Sequence, residues 1–280
     1  MPVYDLHSHS TASDGVLSPV ALVHRAIGQG VDFLALTDHD ELAGLAAAQQ
    51  AASGSRLRLV QGVEVSITWH RSTVHIVGLH VDPREPILRQ GLARNRAGRR
   101  ERAQRMADAL ARIGIPGALE GAYAHAVNKD LIGRTHFARF LVETGVVKDV
   151  KTVFTKYLVQ GRPGYVPHEW ASLREALNWI HAAGGQAVLA HPGRYRFGGE
   201  KLRLLLSEFR DFGGEGMEVI TGSHGQDQVP LLADLAVRHG LLASVGSDFH
   251  APGEGGRELG SVQGKPMRLP ERCTPIWSRW

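Results

Sequence analysis

Short apolar runs rich in β-branched residues recur along the chain, and most stop at a side chain able to do chemistry. Residues 3–6 end at His7, residues 31–36 at Thr37-Asp38-His39, and residues 57–63 lead to Glu64. The run 74–79 contains His75, 186–190 ends at His191, 217–220 precedes Thr221 and His224, and 241–245 leads to Ser247-Asp248. Each has the length and residue types of a buried strand. Between them the spacing predicts helices. Ser18-Pro19 with Ala21, Leu22, Ala26 and Ile27 reads as a capped helix ending near Gly28 or Gly30. Residues 42–52 read as the next, 172–183 run from a serine cap to Gly184-Gly185, and 229–239 stop at Gly240. This alternation predicts an α/β fold built on a parallel sheet or barrel. In barrels of that kind functional groups gather at the C-terminal strand ends, where several of these polar residues fall.

The middle of the chain breaks the rhythm. Between residues 83 and 167 no barrel strand is evident, and Leu88, Leu92, Met106, Leu110 and Ile113 predict an arginine-rich helix interrupted at Gly91 and Gly98. Further helices are expected over 119–127, 135–144 and 147–157. The pattern divides the chain into a barrel, 1–82 and 168–280, and a helical insertion, 83–167, that caps it. The tail from residue 251 onward reads as irregular.

Composition adds limits rather than direction. With 280 residues, 43% hydrophobic and 21% charged, the chain has ample core for one large α/β unit with an insertion. It has no run of about 18 apolar residues and no charged stub ahead of an apolar run, so a cytoplasmic protein without a membrane partner is expected. Its one cysteine, Cys273, makes no internal disulfide and no Cys-x-x-Cys exists, so any metal must use imidazole and carboxylate. The net charge of +4 is modest, yet Arg84, Arg89, Arg94, Arg96, Arg99, Arg100, Arg102, Arg105 and Arg112 crowd one segment. Such crowding suits a polyanionic ligand, with a solvated helix face as the plainer alternative.

The candidate chemistry is metal chemistry. Alternate side chains of an extended segment point the same way, so His7 and His9 can reach one ion. One buried histidine at a strand end is ordinary; six of them, with three carboxylates, in a chain of this pattern are not. The ordered set of His7-x-His9, Asp14, Thr37-Asp38-His39, Gly62-Val63-Glu64, His75, His191-Pro192 and Asp248-Phe249-His250 resembles the PHP (polymerase and histidinol phosphatase) family. The resemblance implies a distorted seven-stranded (β/α) TIM-like barrel with three divalent ions at its C-terminal face. It places His7, His9, Glu64 and Asp248 on the first ion, with Glu64 bridging to a second held by His75 and His191. Asp14, His39 and His250 would hold the third. Imidazole with carboxylate suits manganese first, with iron, cobalt or zinc as alternatives.

Three ions bring about six positive charges against three carboxylates, so such a pocket calls for an anion, and phosphate is the natural one. A hydroxide bridging ions about 3.5 to 4 Å apart is a nucleophile available near neutral pH. Glu64 and Asp248 are then expected to hold the reacting centre. Planar guanidinium groups suit the non-bridging oxygens, which points to Arg134 and Arg194. His224 is expected to touch the phosphate or protonate the leaving alkoxide, and His136 is a further phosphate contact. Within the family, the Ile132-Gly133-Arg134-Thr135-His136-Phe137 stretch resembles a bacterial branch of 3′,5′-nucleotide bisphosphate phosphatases and 5′-3′ exoribonucleases, with Thr135 where proline is expected. The implied activity is removal of the 3′-phosphate from a nucleoside 3′,5′-bisphosphate. Histidinol phosphate or short RNA are the alternative substrates. A non-catalytic nucleic-acid-binding module would leave a full ligand set unused.

Overall fold

The seven apolar runs form one sheet in the computed structural model, which describes residues 2–195 and 197–280. Strands β1 (Tyr4–Asp5), β2 (Phe33–Leu36), β3 (Arg58–Trp69), β4 (Ser72–Leu79), β5 (Gln186–Leu189), β6 (Gly216–Thr221) and β7 (Leu242–Gly246) lie side by side in chain order. The sheet curls until its ends meet: Leu6 N–H donates to Val245 O at 3.0 Å and Asp248 N–H to His7 O at 2.9 Å. The segments carrying His7 and Asp248 are therefore neighbours although they stand at opposite ends of the sequence.

One strand departs from the parallel rhythm. β4 runs antiparallel to both β3 and β5. The two residues between the paired Trp69 and Ser72, His70 and Arg71, have φ of 43° and 63°. Two consecutive left-handed residues make the type I′ turn, whose twist suits a two-residue hairpin. The reversal has a functional consequence. The start of β4, with His75, lies at the same end of the barrel as the C-terminal ends of the parallel strands.

Around the sheet lie α1 (Pro19–Gly28), α2 (Leu45–Ala52), α3 (Pro86–Ala97), α4 (Arg99–Ala111), α5 (Ala118–His125), α6 (Arg134–Glu143), α7 (Val150–Val153), α8 (Leu173–Ala182), α9 (Gly199–Asp211) and α10 (Gln228–Arg238). The expected caps are in place. Ser18 Oγ accepts from Ala21 N–H at 3.2 Å, and Ser172 exchanges hydrogen bonds with Glu175 in a capping box. Helix α9 has no counterpart among the sequence expectations. Of the two glycines expected to interrupt the arginine-rich helix, only Gly98 does so. Gly91 stays helical, because the helix presses on Trp179 so closely that a Cβ there would sit 2.3 Å from the ring.

The apolar side chains collect in separate cores. Leu6, Ala35, Val60, Val77, Val188 and Leu242 fill the barrel, whose lower end is closed by Ile276 and by Trp277 stacked on Tyr4 at 4.1 Å. Leu88 and Leu92 of α3 pack with Trp179 outside the barrel wall, so this helix shares the barrel's core. From Ala103 to Val166 the insertion has its own core, including Met106, Leu110, Phe137, Leu141 and Leu158. Each fully buried side chain of this size contributes about 1.5–3 kcal/mol, enough for the insertion to hold its shape over the site. The tail, expected to be irregular, forms a small antiparallel meander of β8 (Arg257–Glu258), β9 (Ser261–Val262) and β10 (Lys265–Pro266). Among the described residues no helix is long and apolar enough to cross a membrane.

Candidate metal centre

At the upper end of the barrel the strand ends bring nine candidate ligands together from distant parts of the chain. Their donor atoms fall into three overlapping groups: His9, Asp14, His39 and His250; His7, His9 and Asp248; and His39, Glu64 and His75. His191 joins through Glu64, with its Nε2 at 3.0 Å from Glu64 Oε1, while His75 Nδ1 is 2.8 Å from the same oxygen. Glu64 is fully buried in the middle of β3 and stands among five imidazoles, with His7 and His9 Nε2 atoms each at 3.4 Å and His39 Nδ1 at 2.8 Å. The backbone is strained where it aims these groups. His191 and Asp248 have φ of 31° and 54°, a left-handed conformation unfavourable for side chains larger than glycine.

The donor atoms fit divalent cations. His7 Nε2 and His9 Nε2 face each other at 3.1 Å. His9 Nδ1 and His191 Nδ1 are buried without a hydrogen-bond partner, and His39 Nδ1 and Glu64 Oε2, though 2.8 Å apart, lack the geometry of a hydrogen bond. A buried polar atom left unpaired costs about 1–3 kcal/mol, and a cation satisfies several lone pairs at once. The charges respond to one another. Burial opposes ionisation of Glu64, yet His39, His75 and His7 hold its carboxyl well below the usual range. Burial likewise opposes a charged Asp14, which His250 and His39 keep ionised. His9 and His191 are driven mainly by burial down to about 3, which leaves them neutral and able to donate lone pairs.

Outer partners orient the ligands, and two were not apparent from the sequence. Glu218, buried on β6, accepts from His7 Nδ1 at 2.8 Å and from the His191 backbone N–H at 2.6 Å. A lone glutamate inside the apolar run 216–221 was the available signal. Arg257 of β8 donates to Asp248 Oδ2 at 2.9 Å and to its main-chain oxygen at 2.8 Å. Ser223 Oγ also reaches Oδ2, at 3.2 Å, which leaves Oδ1 toward His7 and His9. Arg257 comes from the tail, where no sequence pattern distinguished it. Orientation of this kind raises ligand basicity and pins the tautomer.

The insertion closes over this end. Arg139 donates to Asp14 O at 2.6 Å, and Asn128 Nδ2 to Ala12 O at 3.1 Å. Arg99 at the start of α4 pairs with Asp40, whose Oδ1 also accepts from Asn95 and Ser66 N–H at 2.9 Å. Asp40 follows His39, so the cap is anchored one residue from a candidate ligand.

The phosphate candidates separate. Arg194 follows His191 and is partly exposed, with Nη1 at 3.8 Å from Asp248 Oδ2. Arg134 opens α6, and among the described residues no carboxylate lies within 4.0 Å of its guanidinium; burial and nearby Arg194 lower its pKa to about 10. His224 and His136 are engaged elsewhere. His224 Nε2 accepts from Gly193 N–H at 3.0 Å and its Nδ1–H donates to Val219 O at 3.1 Å, so it carries no free proton for a leaving group in this arrangement. Burial, its main influence, takes its pKa down to about 4, as expected for a neutral clamp between the loops after β5 and β6. His136 Nδ1 accepts from Gly133 N–H at 3.0 Å and caps α6, an arrangement that presents Arg134 rather than contacting an anion itself.

Known proteins resemble the chain along its whole length. The model of the PHP domain matches residues 5–190. Over 273 residues the chain is 52% identical to a 3′,5′-nucleoside bisphosphate phosphatase of Chromobacterium violaceum, covering 98% of this chain and 94% of that one. It is 45% identical over 280 residues to the 5′-3′ exoribonuclease Rnm of Escherichia coli, covering 99% and 94% of the two chains. The structure of a Chromobacterium violaceum amidohydrolase, solved with bound sulfate and no metal, matches with a TM-score of 0.93 at 50% identity, over 99% of this chain and 95% of that one.

Proposed function

The chain belongs to the PHP domain family, and on that premise we propose that it is a metal-dependent phosphoesterase removing the 3′-phosphate of nucleoside 3′,5′-bisphosphates. The observation that carries this reading is the buried set of histidines and carboxylates whose lone pairs face one another around Glu64. Three ions, manganese first, would be held by His7, His9, Glu64 and Asp248, by Glu64, His75 and His191, and by Asp14, His39 and His250. When bound, such ions neutralise phosphoryl oxygens and make a water nucleophilic near neutral pH.

The chain's own groups have separate tasks in this reading. Glu218 holds His7 so that Nε2 faces the pocket, and Arg257 with Ser223 leaves Asp248 Oδ1 free to ligate. Arg194, at the rim beside Asp248, would take a non-bridging oxygen of the attacked phosphate. Arg134 on the cap would meet the second phosphate, since it is charged and lacks a carboxylate partner. Arg139 and Asn128 of the insertion bind the backbone of the Asp14 loop and so fix the insertion at the rim of the site. A nucleotide substrate also agrees with a cytoplasmic location.

The deciding experiment compares turnover of adenosine 3′,5′-bisphosphate, histidinol phosphate and a 5′-phosphorylated oligoribonucleotide by manganese-loaded protein, before and after chelation. The bisphosphate should be preferred, with activity lost on chelation and restored by metal; activity indifferent to chelation would reject the reading. Release of mononucleotides from the oligonucleotide would support exoribonuclease activity beside the phosphatase, as the similarity to the Escherichia coli exoribonuclease suggests. Arg134→Ala should raise KM for the bisphosphate about 10- to 100-fold, the value of a charge-assisted contact, and raise KM for an aryl phosphate far less. Equal increases for both substrates would remove Arg134 from second-phosphate recognition.

A further inference from the structure

The turn after β5 carries a candidate ligand, His191, and a candidate phosphate contact, Arg194, within four residues. Its backbone is held under strain. His191 has φ of 31°, a conformation unfavourable for any residue but glycine, which persists only where the surroundings fix it. The Arg194 N–H closes the turn on His191 O at 2.9 Å. The Arg194 side chain is 39% exposed, and among the described residues its only carboxylate within 4.0 Å is Asp248, with Oδ2 at 3.8 Å. A separation of that size is too long for a hydrogen bond to hold the guanidinium in one place. Where the guanidinium stands is therefore set by the backbone from which it springs.

Three side chains from β6 and the residues that follow it grip this backbone. Glu218 Oε2 accepts from His191 N–H at 2.6 Å. Two residues on, His224 Nε2 accepts from Gly193 N–H at 3.0 Å, and Gln228 Nε2 donates to Gly193 O at 3.1 Å. Both polar groups of Gly193 are thus taken by side chains. Neither of these partners can swing freely. His224 is buried with its Nδ1–H on Val219 O at 3.1 Å, and Gln228 Oε1 accepts from Gly225 N–H at 2.8 Å. Space is equally tight: a Cβ on Gly193 would lie 2.8 Å from His224 Cδ2 and 3.1 Å from Gln228 Nε2, so only glycine allows the approach. Gln228 opens α10, and fixing the loop before that helix would explain its bond to Gly225. It does not explain why the amide nitrogen turns to Gly193.

We infer that Gln228 is a positioning residue for Arg194, which together with His224 clamps Gly193 so that the guanidinium meets the attacked phosphate. The inference rests on the phosphoesterase reading, in which Arg194 takes a non-bridging oxygen. The two ends of the turn are held by different side chains, Glu218 at His191 and the Gln228–His224 pair at Gly193. Loss of the Gln228 contact frees Gly193 O, lets the strained turn relax and moves Arg194. His191 stays on Glu218. A guanidinium displaced by an ångström no longer offers its paired donors to phosphate.

The test is a double-mutant cycle on manganese-loaded protein turning over adenosine 3′,5′-bisphosphate. Arg194→Ala alone should lower kcat/KM about 10- to 100-fold, the value of a charged contact, and Gln228→Met alone about 3- to 10-fold, that of a neutral one. In the Arg194→Ala background Gln228→Met should cost less than about twofold, because the group it positions is gone. Equal fold-losses in the two backgrounds would overturn the inference, since a helix-capping role is blind to Arg194. Manganese affinity, measured by equilibrium dialysis, is the second readout: in Gln228→Met it should fall far less than the about 10- to 100-fold expected for an outer partner of a ligand. A fall in affinity as large as the fall in activity would place the effect on His191 and reject the role. Should Gln228→Met not yield folded protein, Gly193→Ala replaces it with the same two outcomes, because its Cβ would push against the same clamp. Arg194→Ala with wild-type kcat/KM would instead count against the parent reading of Arg194, and the inference would fall with it.

Discussion

Glu64→Gln should abolish phosphatase turnover, with a loss well beyond the roughly 100-fold ceiling for removing an outer partner of a metal ligand. Glu64 stands among five imidazoles, and in the proposed function it joins two ions. Glutamine keeps the shape but removes the charge and replaces one acceptor oxygen with an N–H2 group. Two effects follow. The second ion loses its carboxylate, and the amide hydrogens point at histidine lone pairs that were facing a cation. His39 supplies an independent signal. Burial pulls its pKa down, but Glu64 and Asp14 outweigh burial and raise it to about 9. In chelated Glu64→Gln protein its titration, followed by NMR, should move to lower pH. Bisphosphate turnover and manganese stoichiometry, measured on wild type and variant, test the bridging role; a variant that still binds the wild-type number of ions and turns over within tenfold of wild type would refute it.

The second large effect is expected at a residue that touches no substrate. Glu218 accepts one hydrogen bond from the His7 ring and another from the His191 backbone, and these histidines belong to two different proposed ions. Glu218→Gln offers one acceptor oxygen and one amino group to two donors. If the amino group faces His7, the imidazole must move its proton to Nε2, the atom that looks into the pocket. If it faces His191, two N–H donors oppose each other and the loop after β5 shifts. Either outcome disturbs one ligand. Manganese affinity should fall about 10- to 100-fold, as equilibrium dialysis with metal analysis would register. Unfolding midpoints of the chelated proteins separate this from a general loss of fold. An unchanged affinity would show that Glu218 is only a buried structural carboxylate.

Much of the site was legible because strand ends announce themselves. His7, His39, Glu64, His191 and Asp248 each close or follow an apolar run, and a barrel gathers such positions on one face. His75 lies near the start of its run, so the same rule alone would send it to the opposite face. The left-handed pair His70 and Arg71 resolves this by turning β4 around. Neither residue is a glycine or asparagine, so the turn carried no strong local signal. His224 and His136 show the reverse case. Both fall in suggestive places, yet backbone hydrogen bonds from Gly193 and Gly133 occupy them. Whether an imidazole nitrogen is free depends on which peptide group the fold brings beside it, and no spacing in the sequence encodes that.

The sequence by itself determined the α/β barrel rhythm, the residue types of the candidate metal site and the absence of a Cys-x-x-Cys thiol pair. These follow from periodicity and composition, which act over a few residues or over the whole chain. Only the tertiary structure decided the reversed strand, the joining of α3 to the barrel core, and the outer partners Glu218 and Arg257. Those outcomes depend on contacts between residues far apart in the chain. The reach of a hydrogen bond or ion pair is a few ångströms in space, whatever the distance along the sequence.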